Sequence, residues 1–298
     1  MRHLHQKGIS YGRLSRIVSM PKSTLAAMTR PQEGRERRTP AKTSGEAALR
    51  LWIRLLKEIK PTWGIRRVRA WIRKVLEMPI GRKRTARLLR EEGLLCPRIK
   101  KRAHRNQSPR QEATRPNQVW AMDMTQFVLT DSTRVFLMIV LDIFLRRIVG
   151  FHLSTRCRAQ EWLEALDMAV LAEFPEGVRG QGLTLRLDNG CQPTSGAFQD
   201  ALRTLEITPE WTGYNSPKQN AHVERVIGTL KADWLWIEEC DTFVQAQDLV
   251  NRAIAEYNEE HPHSALGFLS PNEFRTLWNN SQGRITQANK TEVALKAA

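Results

Sequence analysis

The order of apolar and polar positions changes character near residue 117. Before it, apolar residues recur every three or four positions, the period of helices; after it they first cluster in β-rich runs. Residues 9–30, "ISYGRLSRIVSMPKSTLAAMTR", read as two short helices around "SMP". Pro21 suits the first turn of the second helix and Pro31 sits just beyond its end. Residues 31–45 are charged and rich in breakers, the composition of a linker. A helix over 46–60 places Leu49, Trp52, Ile53 and Leu56 on one face, and Pro61 and Gly64 break it. Within 64–95, Ile65, Val68, Trp71 and Ile72 form one stripe. After "MPIG", Leu88 and Leu89 anchor a further helix, with Gly93 as its stop. Two short helices around a tight turn are the pattern of a helix-turn-helix.

From 117 onward the runs "QVWAMDMTQFVL" (118–129), "RVFLMIVLDIF" (134–144) and "RIVGFHLS" (147–154) predict an antiparallel meander of three strands. A helix follows at 159–174, then a strand at 183–190 ending in a turn, a helix at 195–206 and a short strand at 207–213. "NSPKQNAHVERVIGTLKADWLW" (215–236) has Val223, Val226, Ile227, Leu230 and Trp234 on one helical face. Glu224 lies about 100° from Val223, at the margin of that stripe, and Lys231, seven residues on, shares the margin. A further helix is predicted near 242–259. The order βββαβαβα is that of a ribonuclease-H-like α/β domain, its first three strands antiparallel and the later ones added in parallel. The fold class is therefore such a mixed-sheet domain preceded by a small all-α helix-turn-helix region.

Length and charge sharpen this. The 298 residues suffice for about two domains. Residues 1–116 hold 31 Lys/Arg and 8 Asp/Glu, whereas 117–298 hold 16 and 23. A basic front joined to a mildly acidic back reads as a polyanion-binding module attached to something else, and nucleic acid is the expected polyanion. The "RKR" that opens the second helix, Arg82, Lys83 and Arg84, is a candidate DNA contact. So is the polar stretch 96–117, where Lys100, Lys101 and Arg102 stand ready to track phosphates. No apolar run approaches the ~20 residues of a membrane span, and "MRHLHQKG" lacks a secretory segment. Cys96, Cys157, Cys191 and Cys240 lie far apart without a CxxC pair. That argues against a disulfide framework or zinc knuckle and for a reducing, cytoplasmic home.

Three acids stand out by position. Asp123 is mid-strand in "WAMDMT", Asp188 closes a strand in "LRLDNG", and Glu224 opens the 215–236 helix. A carboxylate in a strand centre is costly to bury unless paired or bound to metal. Three converging carboxylates can hold two magnesium ions, with water and phosphate oxygens completing each shell. Two such ions ~3.5–4 Å apart stabilise the attacking and leaving oxygens of an in-line phosphoryl displacement. Spacing alone does not single out these acids; their shared place toward one end of the sheet does.

The phrases "NQVWAMDMT", "LDIFLRRIVGF", "LDNG", "NSPKQNAHVERVIGTLK" and "YNEEHPHSALGFLSPNEF" occur here in one order. With them the chain resembles the DDE transposases and retroviral-type integrases, most closely the second-frame transposases of the insertion sequence three family, over roughly residues 45–275. The resemblance implies that Asp123, Asp188 and Glu224 are catalytic and hold two Mg²⁺ ions, for which Mn²⁺ substitutes, Asp123 touching both. It implies that Lys231 contacts DNA ends. The implied reaction cuts at the element's terminal inverted repeats, frees a 3′-hydroxyl and transfers it to another phosphodiester through a circular intermediate. Implied partners are the terminal repeats, target DNA, further copies of the chain when two ends are synapsed, and a fused upstream-frame DNA-binding protein. The implied place is the nucleoid of a bacterial cytoplasm. The expected layout is 1–44 a short helical segment and linker, 45–95 the helix-turn-helix, 96–116 a basic linker, 117–278 the catalytic core and 279–298 a disordered tail. Two rivals are a ribonuclease-H-like nuclease that never joins strands and a domesticated DNA-binding regulator without catalysis.

Departures from the family pattern are Pro193 for a tyrosine, Leu145 for a serine and His261 for an arginine; none removes a metal ligand. His3 and His5 lack the CxxC partner of the retroviral zinc module, and His261 and His263 read as structural. Asp142 reads as a structural acid, and Trp120, three before Asp123, as core on the opposite sheet face. Gly190 is expected to permit a sharp turn. Asn189 and Asn220 are candidates to hydrogen-bond beside the site, and Trp211 and Tyr214 either stack on bases or pack at the rim.

Overall fold

The computed structural model describes residues 45–96, 112–212 and 220–281. The expectations for 1–44, for Lys100, Lys101 and Arg102, for Tyr214 and for most of the tail lie outside these residues. The chain divides into two units, 1–51 and 52–298. Of the first, residues 45–51 open helix α1 (Gly45–Ile59), with Arg50 paired to Glu46 one turn earlier at 3.1 Å.

In the second unit α1 continues into α2 (Ile65–Val75) and α3 (Arg82–Glu91). Ile53, Leu56, Val68, Ile72, Leu88 and Leu89 are buried, as their helical spacing requires. Trp52, expected on that face, is 44% exposed and leans on Trp71 with ring centroids 6.2 Å apart. Lys57 is buried in the same helix. The chain reverses after Ile59 and lays the Pro61 and Trp63 carbonyls on the Lys57 ammonium, which satisfies a charge that burial alone would penalise. Helix α3 stops as expected. Gly93 takes φ +71, its N–H donates to the Arg90 carbonyl, and the Leu94 N–H reaches back to Leu89. Residues 76–81 form the turn between α2 and α3.

The sheet has the order β3-β2-β1-β4-β5. Its strands are β1 (Val119–Val128), β2 (Arg134–Asp142), β3 (Arg147–Ser154), β4 (Thr184–Leu187) and β5 (Thr208–Trp211). β1–β2 and β2–β3 are antiparallel; β1–β4 and β4–β5 are parallel, as the ribonuclease-H-like reading required. Parallel pairing needs crossovers, here α4 (Ala159–Glu173) and α5 (Gly196–Thr204). These cover one face over Trp120, Met122, Met138, Val140, Trp162 and Phe198. The other face buries Ala121, Leu137 and Ile139 beneath α6 (Ala221–Leu230) and α7 (Phe243–Glu259). Gly150 in β3 lets α4 come close: a Cβ there would lie 2.5 Å from the Ala165 carbonyl oxygen. Asp142 is fully buried and accepts the Asn117 and Leu145 N–H groups at 2.7 and 2.8 Å, the structural role expected of it.

Two features depart from the pattern. Helix α6 passes into a π-helical turn, Lys231–Leu235, which widens the turn after Lys231. Helix α8 (Pro271–Asn280) was not read from the sequence, and it runs two residues beyond the expected core boundary at 278. Its start signals are Pro271 in the first turn and a reciprocal cap between Ser270 and Glu273. Among the described residues no helix is long and apolar enough to cross a membrane.

The helix-turn-helix segment is not separate from the core. Lys60 pairs with Glu256 at 3.0 Å, and the Trp63 indole donates to Asp233 at 3.3 Å, as does the Thr62 hydroxyl. Lys74 pairs with Glu273 at 2.7 Å. Residues 52–95 and the core therefore fall in one unit.

Candidate active site

The site is assembled by strand register. β1 and β4 run parallel with Ala121 beside Arg186. Two residues further along each chain come Asp123, in the middle of β1, and Asp188, just past the end of β4, carried to the same level of neighbouring strands, which lie ~4.8 Å apart. Side chains alternate along a strand, so Asp123 shares the face of Ala121, the face covered by α6. Trp120 and Met122 point the other way into the opposite core, as expected for Trp120. Glu224 lies in the first turn of α6, exposed, while Val223, Val226, Ile227 and Leu230 are buried beside it. The buried stripe thus turns the rim of the helix toward these two strand positions.

The electrostatics follow from that convergence. The Asp123 carboxyl is pushed up to about 7, first by burial and then by the charges of Asp188 and Glu224. The Met124 N–H, 2.7 Å from Oδ1, and the Lys231 ammonium pull it back. Partial burial also raises the Glu224 carboxyl. Lys231 caps the C-terminal end of α6 and its ammonium lies 5.8 Å from the centroid of the Trp236 ring, which is 70% exposed.

Supporting bonds come partly from expected residues. Asn220 is buried and its Nδ2 donates to the Met122 carbonyl at 3.1 Å, tying the start of α6 to the strand residue before Asp123. Asn189 Nδ2 donates to the Thr212 carbonyl, linking the ends of β4 and β5. Gly190 departs from its expected role: it is absent from the left-handed glycines. Its N–H donates to Asp188 Oδ1 at 3.1 Å, and a Cβ would sit 3.0 Å from that oxygen. Close approach, not turn geometry, accounts for the glycine. The two-residue offset in "DNG" is the sequence signal for that bond.

Of the other candidates, Arg82 and Lys83 are exposed at the start of α3 and Arg84 is half-buried. Trp211 is 36% exposed at the end of β5. His261 is buried against Tyr257, and His263 Nε2 lies 2.6 Å from the Tyr257 hydroxyl, so both histidines are structural as expected. Among the described residues no three His, Cys, Asp or Glu side chains close around one point. The donor set nonetheless suits hard divalent ions: carboxylate oxygens come from three different elements, with the charges of Asp188 and Glu224 acting on Asp123 and Lys231 the cation that offsets them.

A ribonuclease-H-like sheet with an acid in the middle of β1, another just past the end of β4 and a third on the covering helix defines an integrase-type polynucleotidyl transferase core. The Integrase core domain family matches residues 113–217, a second Integrase core domain family matches 205–271, and the HTH-like domain family matches 45–102. Transposase InsD for insertion element IS2A/D/F/H/I/K of Escherichia coli is 30% identical over 224 residues, covering 72% of this chain and 73% of that protein. Transposase InsD for insertion element IS2-9 of Escherichia coli (strain K12) is 30% identical over 72% of each. The HTLV-2 integrase catalytic core domain in complex with magnesium aligns over 53% of this chain and 95% of that one, at 19% identity and TM-score 0.42. The chain belongs to the insertion-element transposases of the insertion sequence three family.

Proposed function

We propose that the chain cuts DNA at the ends of an insertion element and joins the freed 3′-hydroxyl to another phosphodiester, with Asp123, Asp188 and Glu224 as its catalytic carboxylates. The observation that carries this reading is the convergence of the three acids: β1–β4 register sets Asp123 beside Asp188, and the charges of Asp188 and Glu224 both reach Asp123. Magnesium or manganese held there would activate the attacking oxygen and stabilise the leaving one. Asp123, Asp188 and Glu224 would together hold the metal. Met124 and Gly190 N–H groups orient the two strand carboxylates through Oδ1, leaving Oδ2 for a metal. Asn220 holds α6, and so Glu224, against β1. Lys231 supplies a cation for a DNA phosphate beside the reacting one. The exposed residues Arg82 and Lys83, with Arg84, bring the terminal repeat to the chain, and synapsis of two ends calls for at least two copies.

The test is a labelled duplex carrying the element's terminal repeat, incubated with magnesium and the full chain, beside a Glu224→Gln variant. Joined products are expected, reduced by about 10²-fold or more in the variant, the scale of losing one electrostatic stabiliser of the transition state. Nicking without joining would assign a nuclease. Binding without either reaction would assign a DNA-binding regulator.

A further inference from the structure

We propose that the groove between α2 and the 263–273 segment is a second DNA-binding surface, which holds the phosphodiester backbone of duplex DNA. It rests on the transposase reading above and adds an α2 surface to the α3 residues, sharing Arg82 with them.

The groove encloses about 600 Å³. Arg66, Arg69 and Arg73 line it from α2, at i, i+3 and i+7 on one helical face, and Arg82 lines it from the start of α3. Arg66 to Arg73 spans about 10 Å at 1.5 Å per residue. That is about three phosphate-to-phosphate steps along one strand, at ~3.4 Å each. Ala70, between Arg69 and Arg73, keeps the floor low so that a backbone can approach. Arg66, Arg73 and Arg82 are exposed and have no acidic partner among the described residues. The Arg69 Nε donates to the Ile80 carbonyl at 3.0 Å, which aims the guanidinium while its terminal nitrogens stay available. Lys74 also lines the groove but is spent on Glu273, an ion pair that ties α2 to α8 and holds the groove's width. Glu77 is the one acid of the lining not so neutralised, against four arginines.

The opposite wall carries a strained residue. Phe268 has φ +71, a conformation that a bulky aromatic side chain rarely adopts, and its N–H is held by the His263 carbonyl at 2.7 Å. Such strain persists where surrounding structure enforces it and clusters at binding sites. Here it sets an apolar ring against a row of guanidinium groups, matching the mixed sugar and phosphate surface of a nucleic-acid strand. An open groove lined along a helix suits a strand better than a single small anion. DNA seated there touches the helix-turn-helix segment and the catalytic core at once.

The experiment measures binding of a fluorescent terminal-repeat duplex by the full chain across a salt series. The wild type is compared with Arg66→Gln/Arg73→Gln, single Arg73→Gln, Arg73→Lys and Lys83→Gln, each checked for an unchanged melting temperature. Loss of two phosphate contacts is expected to flatten the slope of log K against log salt by about 1.8, with about half that for the single variant. Arg73→Lys is expected to restore the slope. A double-variant slope equal to wild type, while Lys83→Gln weakens binding, overturns the groove and leaves the transposase reading intact. Absence of duplex binding by the wild type at every salt concentration overturns both.

Discussion

Asp123 is placed where a carboxylate is hardest to keep charged, on a covered sheet face beside two other acids. Its carboxyl rises to about 7, so between pH ~4 and ~7 the folded chain holds a proton that the unfolded chain has lost. Stability from this group is therefore greatest below pH ~4 and declines as pH rises through 7. Neutralising it removes that penalty. Asp123→Asn is expected to stabilise the metal-free protein at pH 8 by about 2 kcal/mol, solvent screening included, and to lose catalysis. Urea unfolding in chelator checks it. A wild type as stable as the variant at pH 8 would mean that burial and the neighbouring acids do not burden Asp123. The sequence singled out Asp123, Asp188 and Glu224 through their settings in strand, strand end and helix margin, and these are the acids proposed as catalytic. The Met124 and Gly190 N–H bonds were less so, since a backbone donor leaves no residue-type signature.

At the scale of the element, Gly150 shows how the two layers fit. The β2–β3 register shifts between Val140 and Leu141, where β3 carries Val149 as an extra residue, and α4 settles on β3 at Gly150, where a Cβ would meet the Ala165 oxygen at 2.5 Å and the Ala169 Cβ at 2.7 Å. Gly150→Ala must push the helix away. It is expected to cost about 1–3 kcal/mol, the scale of an overpacked core, without changing the metal dependence of any activity. Thermal unfolding and cleavage assays check the two halves of this statement; an unchanged melting temperature would sink it. Strands and helices with strong periods were all legible, with ends that moved by a residue or a few. Helix α8 was not, because its ten residues contain Phe274, Leu277 and Trp278 without a long repeat, and caps rather than period announce it. The π turn was hidden as well. An extra residue per turn is set by Asp233 and Trp234 reaching partners far away in sequence, Thr62, Trp63 and Glu256.

Across the whole second unit, those partners form a polar seam around His261. Burial and the nearby cations Arg67 and Lys60 depress its imidazole to about 2, so it stays neutral. Asp233 Oδ2 lies 3.8 Å from Nδ1, beyond a hydrogen bond, and neither ring nitrogen has a hydrogen-bond partner. Tyr257, Trp63 and Trp234 surround the ring. The unfolded imidazole takes a proton below pH ~6.5 that the folded one refuses, so stability falls as pH drops from ~6.5. His261→Phe keeps the ring contacts and removes the titration. It is expected to leave stability at pH 7.5 unchanged or slightly higher. It should also flatten the pH 6.5–4.5 decline by up to about 1.4 kcal/mol per pH unit, one proton's worth. Denaturant midpoints at four pH values decide it, and an equal decline in both proteins would refute the assignment.

The sequence by itself determined the βββαβαβα order and the two-sided core, and it singled out the three acids and Lys231 as candidates. Periodicity and turn chemistry are local, and the acids sit at element positions that the order implies. Only the tertiary structure decided that Asp123 and Asp188 stand side by side, because register depends on which residues of two distant strands pair. It alone decided that Trp52 is exposed while Lys57 is buried, since a carbonyl-lined turn beyond the helix stabilises the ammonium. It also joined residues 52–95 to the core through Lys60, Thr62, Trp63 and Lys74. Those pairs bridge more than a hundred residues, and no pattern within a window of the chain encodes a contact between windows.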